Sequence, residues 1–322
     1  SIAGALAPGE EGRMADIIYA RRSLRRGPKI VVIGGGTGLS VLLRGLKQYT
    51  SNLTAIVTVA DDGGSSGRLR GELGILPPGD IRNCLVALAD KEPLMEELLQ
   101  YRFSNGGLAG HSMGNLLLAA LADMTGRFDL AVRSLSKVLA IRGQVLPATL
   151  SDVTLYAELT DGRVVKGESK IPLTNGTIKR VYLKPSRCLP LAGALAAIAE
   201  ADGVVLGPGS LYTSIIPNLL VKGIPEALAR TPATKIYVCN VMTQPGETVG
   251  YTASSHLRAI INHTGNLLDY VVLNTGQVPL RLRSRYRQEG AEPVTADISE
   301  IEKLGIKAVS GDLICKTDVV RH

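Results

Sequence analysis

The apolar positions of this chain switch repeatedly between the spacing of buried strands and the spacing of amphipathic helices. Ile30–Ile33 is a short continuous apolar run between a proline and a glycine cluster, the pattern of a strand buried on both faces. Gly34, Gly35, Gly36 and Gly38 follow, and Leu39, Leu42, Leu43 and Leu46 then recur at helical spacing. Leu53–Val59 reads as a second strand that ends at Asp61-Asp62 and a second glycine loop, Gly63–Gly67. Strand, glycine turn, helix, strand and acidic end form the first half of a Rossmann-type nucleotide fold. Gly79-Asp80 opens a further helix with Asp80 at the expected N-cap. Helices are also expected over Pro93–Phe103, Met113–Met124 and Phe128–Ile141.

Around residues 143–188 the texture changes. Two strand-like runs flank Asp161-Gly162, a hairpin signal, and Thr177–Leu183 adds a third strand. This block reads as a small antiparallel insertion without a chemical motif. The α/β alternation resumes with a helix over Leu191–Ala201, a strand over Gly203–Leu206, a third glycine turn at Gly207–Ser210, a strand over Lys235–Val241 and a helix from Tyr251. Tyr270–Asn274 is the last clear core strand. The expected fold class is α/β, a three-layer Rossmann-like, mainly parallel sheet carrying that insertion. Residues 29–322 are expected to form one domain, and residues 1–28 a flexible basic segment outside it.

The glycine loops give the first chemical reading. A turn passing directly from strand to helix lets backbone amides close on a ligand, and the helix N-terminus behind it favours phosphate or carboxylate. Leu39 stands where G-x-G-x-x-G needs glycine, and no Gly-Lys-Ser/Thr follows, so neither well-known phosphate motif is present. Gly35, Gly36, Thr37 and Gly38 are therefore candidate ligand contacts on position alone. Asp61 and Asp62 have three readings: ribose hydroxyls, Mg²⁺, or capping of the turn that follows. Ser65, Ser66 and Arg68 continue that loop with anion-binding character, and Arg82 and Asn83 sit just after Asp80 at a helix start. Gly110–Gly114 matches the G-x-S-x-G nucleophile elbow by letter, but no strand precedes it. Ser112 is better placed at a helix start, with His111 and Asn115 facing the site. Gly207, Gly209 and Ser210 form the third loop, and Asn240, Thr243 and Gln244 follow the next strand on the same edge.

GGGTGLSVLLRGLK, TAIVTVADDGGSSGRLR, PPGDIRNCLVALAD, GHSMGNLLLAAL, GPGSLYTSIIPNLLV and YVCNVMTQPGET together resemble the YvcK branch of the CofD-like family, the gluconeogenesis factors. The resemblance extends over about residues 29 to 320. It implies a three-layer α/β fold, binding of a UDP-sugar such as UDP-N-acetylglucosamine, and regulation of cell shape and envelope growth on gluconeogenic carbon. It further implies cell-wall synthesis proteins as partners, with homo-oligomers expected. Base and sugar recognition needs an aromatic face and a charged fork, and the resemblance points to the far half of the chain for them. Tyr251 and Arg287 are the candidates there, with Arg285 as the alternative for the arginine. The sister branch, 2-phospho-L-lactate transferase, supplies the rival reading: a phosphotransfer enzyme using Asp62 or a bound Mg²⁺.

Composition narrows the remaining classes. Apolar residues make up 45% and charged residues 20% of 322, enough for a large core, and no run is long enough to span a membrane. The net charge of +7 is concentrated in Arg21–Lys29 and Arg281–Arg287. With aromatics at 4% and no Trp, stacking platforms are scarce, so nucleic acid is not expected as a partner. RRSLRR, before the core, reads as a solvated connector or as a juxtamembrane segment behind an absent anchor. Cys84, Cys188, Cys239 and Cys315 show no paired spacing, so a reducing cytoplasm and buried thiols are expected rather than zinc. His256 and His263 lack a carboxylate at ligand spacing, and no resident metal is expected from them.

Overall fold

The computed structural model describes residues 19, 22–90 and 93–314. Among these residues the strands are, in chain order, β1 (Ile30–Gly34), β2 (Leu53–Val57), β3 (Gln144–Pro147), β4 (Thr154–Leu159), β5 (Val164–Lys166), β6 (Ile178–Lys184), β7 (Gly203–Leu206), β8 (Thr234–Val238), β9 (Tyr270–Asn274) and β10 (Lys307–Gly311). Seven of them form one sheet in the order β10-β9-β8-β7-β1-β2-β3. Every pairing in that sheet is parallel. β2 and β7 are buried along their whole length, and β1 at every position after Ile30, because helices flank the sheet.

The strand order fixes where a ligand can sit. From β1 the chain builds outward through β2 to β3, then returns to the other side of β1 at β7 and builds outward again. Val32 pairs with Ala55 on one side and Val205 on the other. Order therefore reverses between β1 and β7, and the loops leaving their carboxyl ends diverge there into a crevice. Those loops are the first and third glycine turns.

Three boundaries differ from the sequence expectation. Gln144–Pro147 joins the main sheet as its edge strand, so the antiparallel sheet, β5-β4-β6, begins only after it. β4 buries alternate residues, as one-sided packing requires. β10 adds a strand beyond Tyr270–Asn274; its sequence KAVSG is only partly covered and lacks a buried-strand signature. Residues 22–28 are tied to the core: Ser51 donates its N–H to the Leu24 carbonyl at 3.0 Å, and Asn52 Nδ2 donates to the Arg25 and Gly27 carbonyls at 2.9 and 2.7 Å. RRSLRR carries no apolar periodicity, so this docking left no trace in the pattern. Residues 1–18, 20 and 21 of the expected flexible segment lie outside the described residues, as does Cys315. Cys84, Cys188 and Cys239 are free and buried. Among the described residues no helix is long and apolar enough to cross a membrane.

Candidate functional site

The first and third glycine loops pack directly against each other. A Cβ on Gly38 would lie 2.8 Å from the Pro208 carbonyl oxygen, so only glycine permits this approach. Gly207 donates its N–H to the Ile33 carbonyl at 2.9 Å, extending the β1–β7 ladder into the loop. Asn240 clamps the neighbouring residue: its Oδ1 accepts from the Gly209 N–H at 3.3 Å and its Nδ2 donates to the Gly209 carbonyl at 2.8 Å. Ser210 leads into the buried π-helical turn Leu211–Ile215. Gly35 and Thr37 complete the opening of the Gly36–Leu46 helix, where the Thr37 carbonyl accepts from Ser40 Oγ at 2.7 Å.

Asp80 is not the N-cap expected of it. Pro78 holds that position in the Gly79–Leu88 helix, and the Asp80 carboxylate instead accepts the Gly36 N–H. An internal anion thus already sits at the start of the first helix. Burial pushes the Asp80 carboxyl up to about 6, with the Asp61 charge adding to the rise and the Gly36 hydrogen bond opposing it.

The second loop is acidic and reaches further than its sequence suggests. Asp61 accepts the Gly63 N–H at 2.8 Å, the capping contact, and burial raises its pKa. Ser66 Oγ accepts the Gly79 N–H at 3.1 Å. Asp62 accepts the Ser169 N–H at 2.8 Å, so the antiparallel insertion folds over this loop. It brings Glu168 with it. Burial, then the charges of Asp61, Asp80, Glu247 and Asp62, push Glu168 up to about 8. Glu247 accepts from the Tyr212 N–H at 3.1 Å, Thr213 Oγ1 at 3.1 Å and Gln244 Nε2 at 2.8 Å, and burial lifts it to about 7. Sequence reading missed both glutamates. Glu247 lies in a glycine turn after a strand and could have been flagged; Glu168 follows a hairpin and carried no signal. Among the described residues no three His, Cys, Asp or Glu side chains converge as a metal-binding group.

The remaining first-half candidates form a buried polar corner. Ser65 Oγ lies 3.0 Å from His111 Nδ1 and accepts from Asn115 Nδ2 at 3.0 Å. Burial and the Arg68 charge lower the His111 pKa. Ser112 caps the Met113–Thr125 helix, its Oγ accepting the Asn115 N–H at 3.3 Å, which accounts for the elbow-like letters without a nucleophile. Arg82 donates to Ser112 Oγ and, at 2.7 Å, to Asn83 Oδ1.

Three candidates stand apart from these loops. Thr243 Oγ1 is engaged by the Glu292 N–H at 2.9 Å. The Tyr251 hydroxyl shares a 2.8 Å hydrogen bond with that of Tyr212, and its ring packs edge-on against Tyr212 and His256. His256 and His263 each direct Nδ1 at a backbone carbonyl of their own helix. Arg287 is exposed on the Leu280–Gln288 helix. A cavity of about 690 Å³ opens beside that helix at the carboxyl end of β9, lined by Asn274–Leu280, Arg283, Pro293, Val294 and Ala296. A separate recess of about 10 Å³ shares Asn274, Val294 and Ala296 with it and is lined on its other side by Asn240, the residue that clamps Gly209.

Residues 30–314 match the family described as 2-phospho-L-lactate transferase CofD. The chain is 54% identical over 298 residues to the gluconeogenesis factor of Bacillus subtilis, covering 92% of this chain and 94% of that protein. It is also 54% identical over 296 residues to the gluconeogenesis factor of Halalkalibacterium halodurans, covering 91% and 92%. A crystal structure of a UPF0052-family protein from Bacillus halodurans superposes with a TM-score of 0.89 at 53% identity, covering 90% of this chain and 94% of that one.

Proposed function

This chain belongs to the CofD family, on its gluconeogenesis-factor branch, and on that footing we propose that it binds a nucleotide sugar of the UDP-N-acetylglucosamine type and acts as a cytoplasmic regulator of cell shape and envelope growth. The observation that carries the reading is the cavity beside Arg283, on the same sheet edge as the Gly207–Ser210 loop that Asn240 clamps at Gly209. β9 and β7 are two strands apart, roughly 10 Å. That span suits a nucleoside in the cavity with its diphosphate at the paired glycine loops. The volume falls within the range of small-molecule sites, about 300–1,000 Å³. Contacts to cell-wall synthesis proteins and homo-oligomer formation belong to the same proposal.

The rival phosphotransfer reading fits less well. Asp62, the side chain it would use, already holds the Ser169 N–H on one oxygen. Calorimetry with UDP-N-acetylglucosamine and UDP tests the choice. Saturable binding is expected, weakened about ten- to a hundredfold by Arg283→Ala, the loss of a charge-assisted hydrogen bond. Tyr251→Ala and Arg287→Ala in the same titration decide whether those residues share the contact. No binding of either compound to the folded wild type would defeat the reading. Turnover of a phospholactyl donor by the pure protein would replace it with the enzyme.

A further inference from the structure

Three arginines from three separate segments of the chain hold one four-residue stretch. Arg68, on the Gly64–Leu73 helix, donates to the Ala109 carbonyl at 2.7 Å. Arg102 donates to the Gly110 carbonyl, and Arg82 to Ser112 Oγ. Every one of these acceptors is neutral. Among the described residues none of the three arginines forms an ion pair. Gly110, at φ +81°, allows the approach: a Cβ there would lie 2.9 Å from Arg68 Nη2.

Arg82 makes this arrangement expensive. It is 9% exposed, and its Nε has no acceptor. A buried guanidinium without a bound carboxylate is left with a desolvation penalty that nothing in contact offsets. Asp80 and Glu72 act on this corner only through space, on Arg82 and His111 respectively. The Met113–Thr125 helix starts at the same point, capped by Ser112, and its positive end adds to the excess. Burial and the Arg68 charge lower the His111 pKa, and an imidazole brings no negative charge to offset the excess. Positive charge gathered this way without a carboxylate in contact matches the chemistry that receives a phosphate.

We propose that the Ala109–Ser112 corner, with Arg68, Arg82 and Arg102, is a subsite for a phosphomonoester or free phosphate, distinct from the nucleotide-sugar site. Strand spacing separates the two. From β9 to β2 is four strands, roughly 19 Å, and the corner lies beyond the loop that follows β2. The nucleoside end lies that far away, and the diphosphate, seated at the β1 and β7 loops, stops at least one strand spacing, about 5 Å, short of the corner. The subsite therefore takes a second, small phosphorylated ligand.

Inorganic phosphate is the probe, followed by calorimetry and thermal shift at constant ionic strength on the full chain. Wild type should bind it saturably. Arg102→Ala, at an exposed position, and Arg68→Gln should each weaken binding about ten- to a hundredfold, whereas Arg283→Ala should leave it unchanged. UDP-N-acetylglucosamine affinity should be unaltered in Arg102→Ala. Absent phosphate binding, binding that survives both corner variants, or binding lost in Arg283→Ala would overturn the subsite. So would joint loss of both ligands in Arg102→Ala. If phosphate binds at the corner and UDP-N-acetylglucosamine binds nowhere, the nucleotide-sugar reading fails and the subsite stands.

Discussion

Asp80→Asn should make the protein more stable at neutral pH. The wild-type carboxylate is held against the Gly36 N–H in a setting where burial has pushed it up to about 6. The ordinary aspartate value is near 3.9, and one pH unit corresponds to about 1.4 kcal/mol, so keeping this group ionised in the fold costs up to about 3 kcal/mol. Asparagine keeps an oxygen for the Gly36 N–H and sheds the charge. It also removes the through-space attraction between Asp80 and Arg82, which offsets part of the gain. A net stabilisation of about 1–3 kcal/mol at pH 7.5 is expected, a few degrees in Tm for a chain of this size. The pH dependence gives the sharper test. The folded chain holds this proton more tightly than the unfolded chain, so wild-type stability should rise as pH falls through 6 and level off near 4. Glu247 at about 7 and Glu168 at about 8 push in the same direction from higher pH. Denaturant melts of both proteins from pH 8.5 to 4.5 should show a shallower rise for Asp80→Asn below pH 7. A variant that is less stable at pH 7.5, with the wild-type slope intact, would show that Asp80 is not a buried electrostatic cost.

Two further outcomes test the packing around the site. Gly38→Ala should force the Pro208 carbonyl away, costing about 1–3 kcal/mol and weakening UDP-sugar binding; wild-type melts and affinity would refute the loop-to-loop contact. A chain beginning at Gly27 should be about 1–3 kcal/mol less stable than one beginning at Arg22, because the acceptors for Ser51 N and Asn52 Nδ2 at Leu24 and Arg25 are gone; identical urea midpoints would place residues 22–26 outside the fold.

What was legible in the sequence was what depends on local pattern. Continuous apolar runs at Ile30–Ile33 and Gly203–Leu206, each followed by glycine, specified both central strands and both loops, because a strand covered on two faces has no polar alternation to blur it. Strands with weaker cover were harder. Gln144–Pro147 and Lys307–Gly311 stand at the two edges of the sheet, and neither reads as a buried run. Glu168 was invisible for a different reason. Its importance comes from the Asp62–Ser169 contact, which joins residues 107 positions apart, and no spacing rule reports such a contact.

Charge is where the sequence misleads most. In the sequence Asp61, Asp62, Arg68, Asp80 and Arg82 stand close together as candidates for one site, with both signs of charge mixed. The fold sorts them instead. Asp80 and Arg82 lie two apart on one helix, and residues at that spacing do not face each other. Asp80 turns to Gly36 at the β1 loop, where it joins Asp61, Glu168 and Glu247 in a crevice short of positive charge. Arg82 turns to Ser112, where it joins Arg68 and Arg102 in a corner with no carboxylate in contact. One turn of helix thus feeds two poles of opposite sign. Each pole raises the cost of burying its own groups, since the partner that would neutralise it faces the other way. A phosphate relieves that cost at the arginine corner, whereas a diphosphate at the β1 and β7 loops meets the acidic pole and favours protonation of its raised carboxyls, so the two poles treat the same chemistry differently.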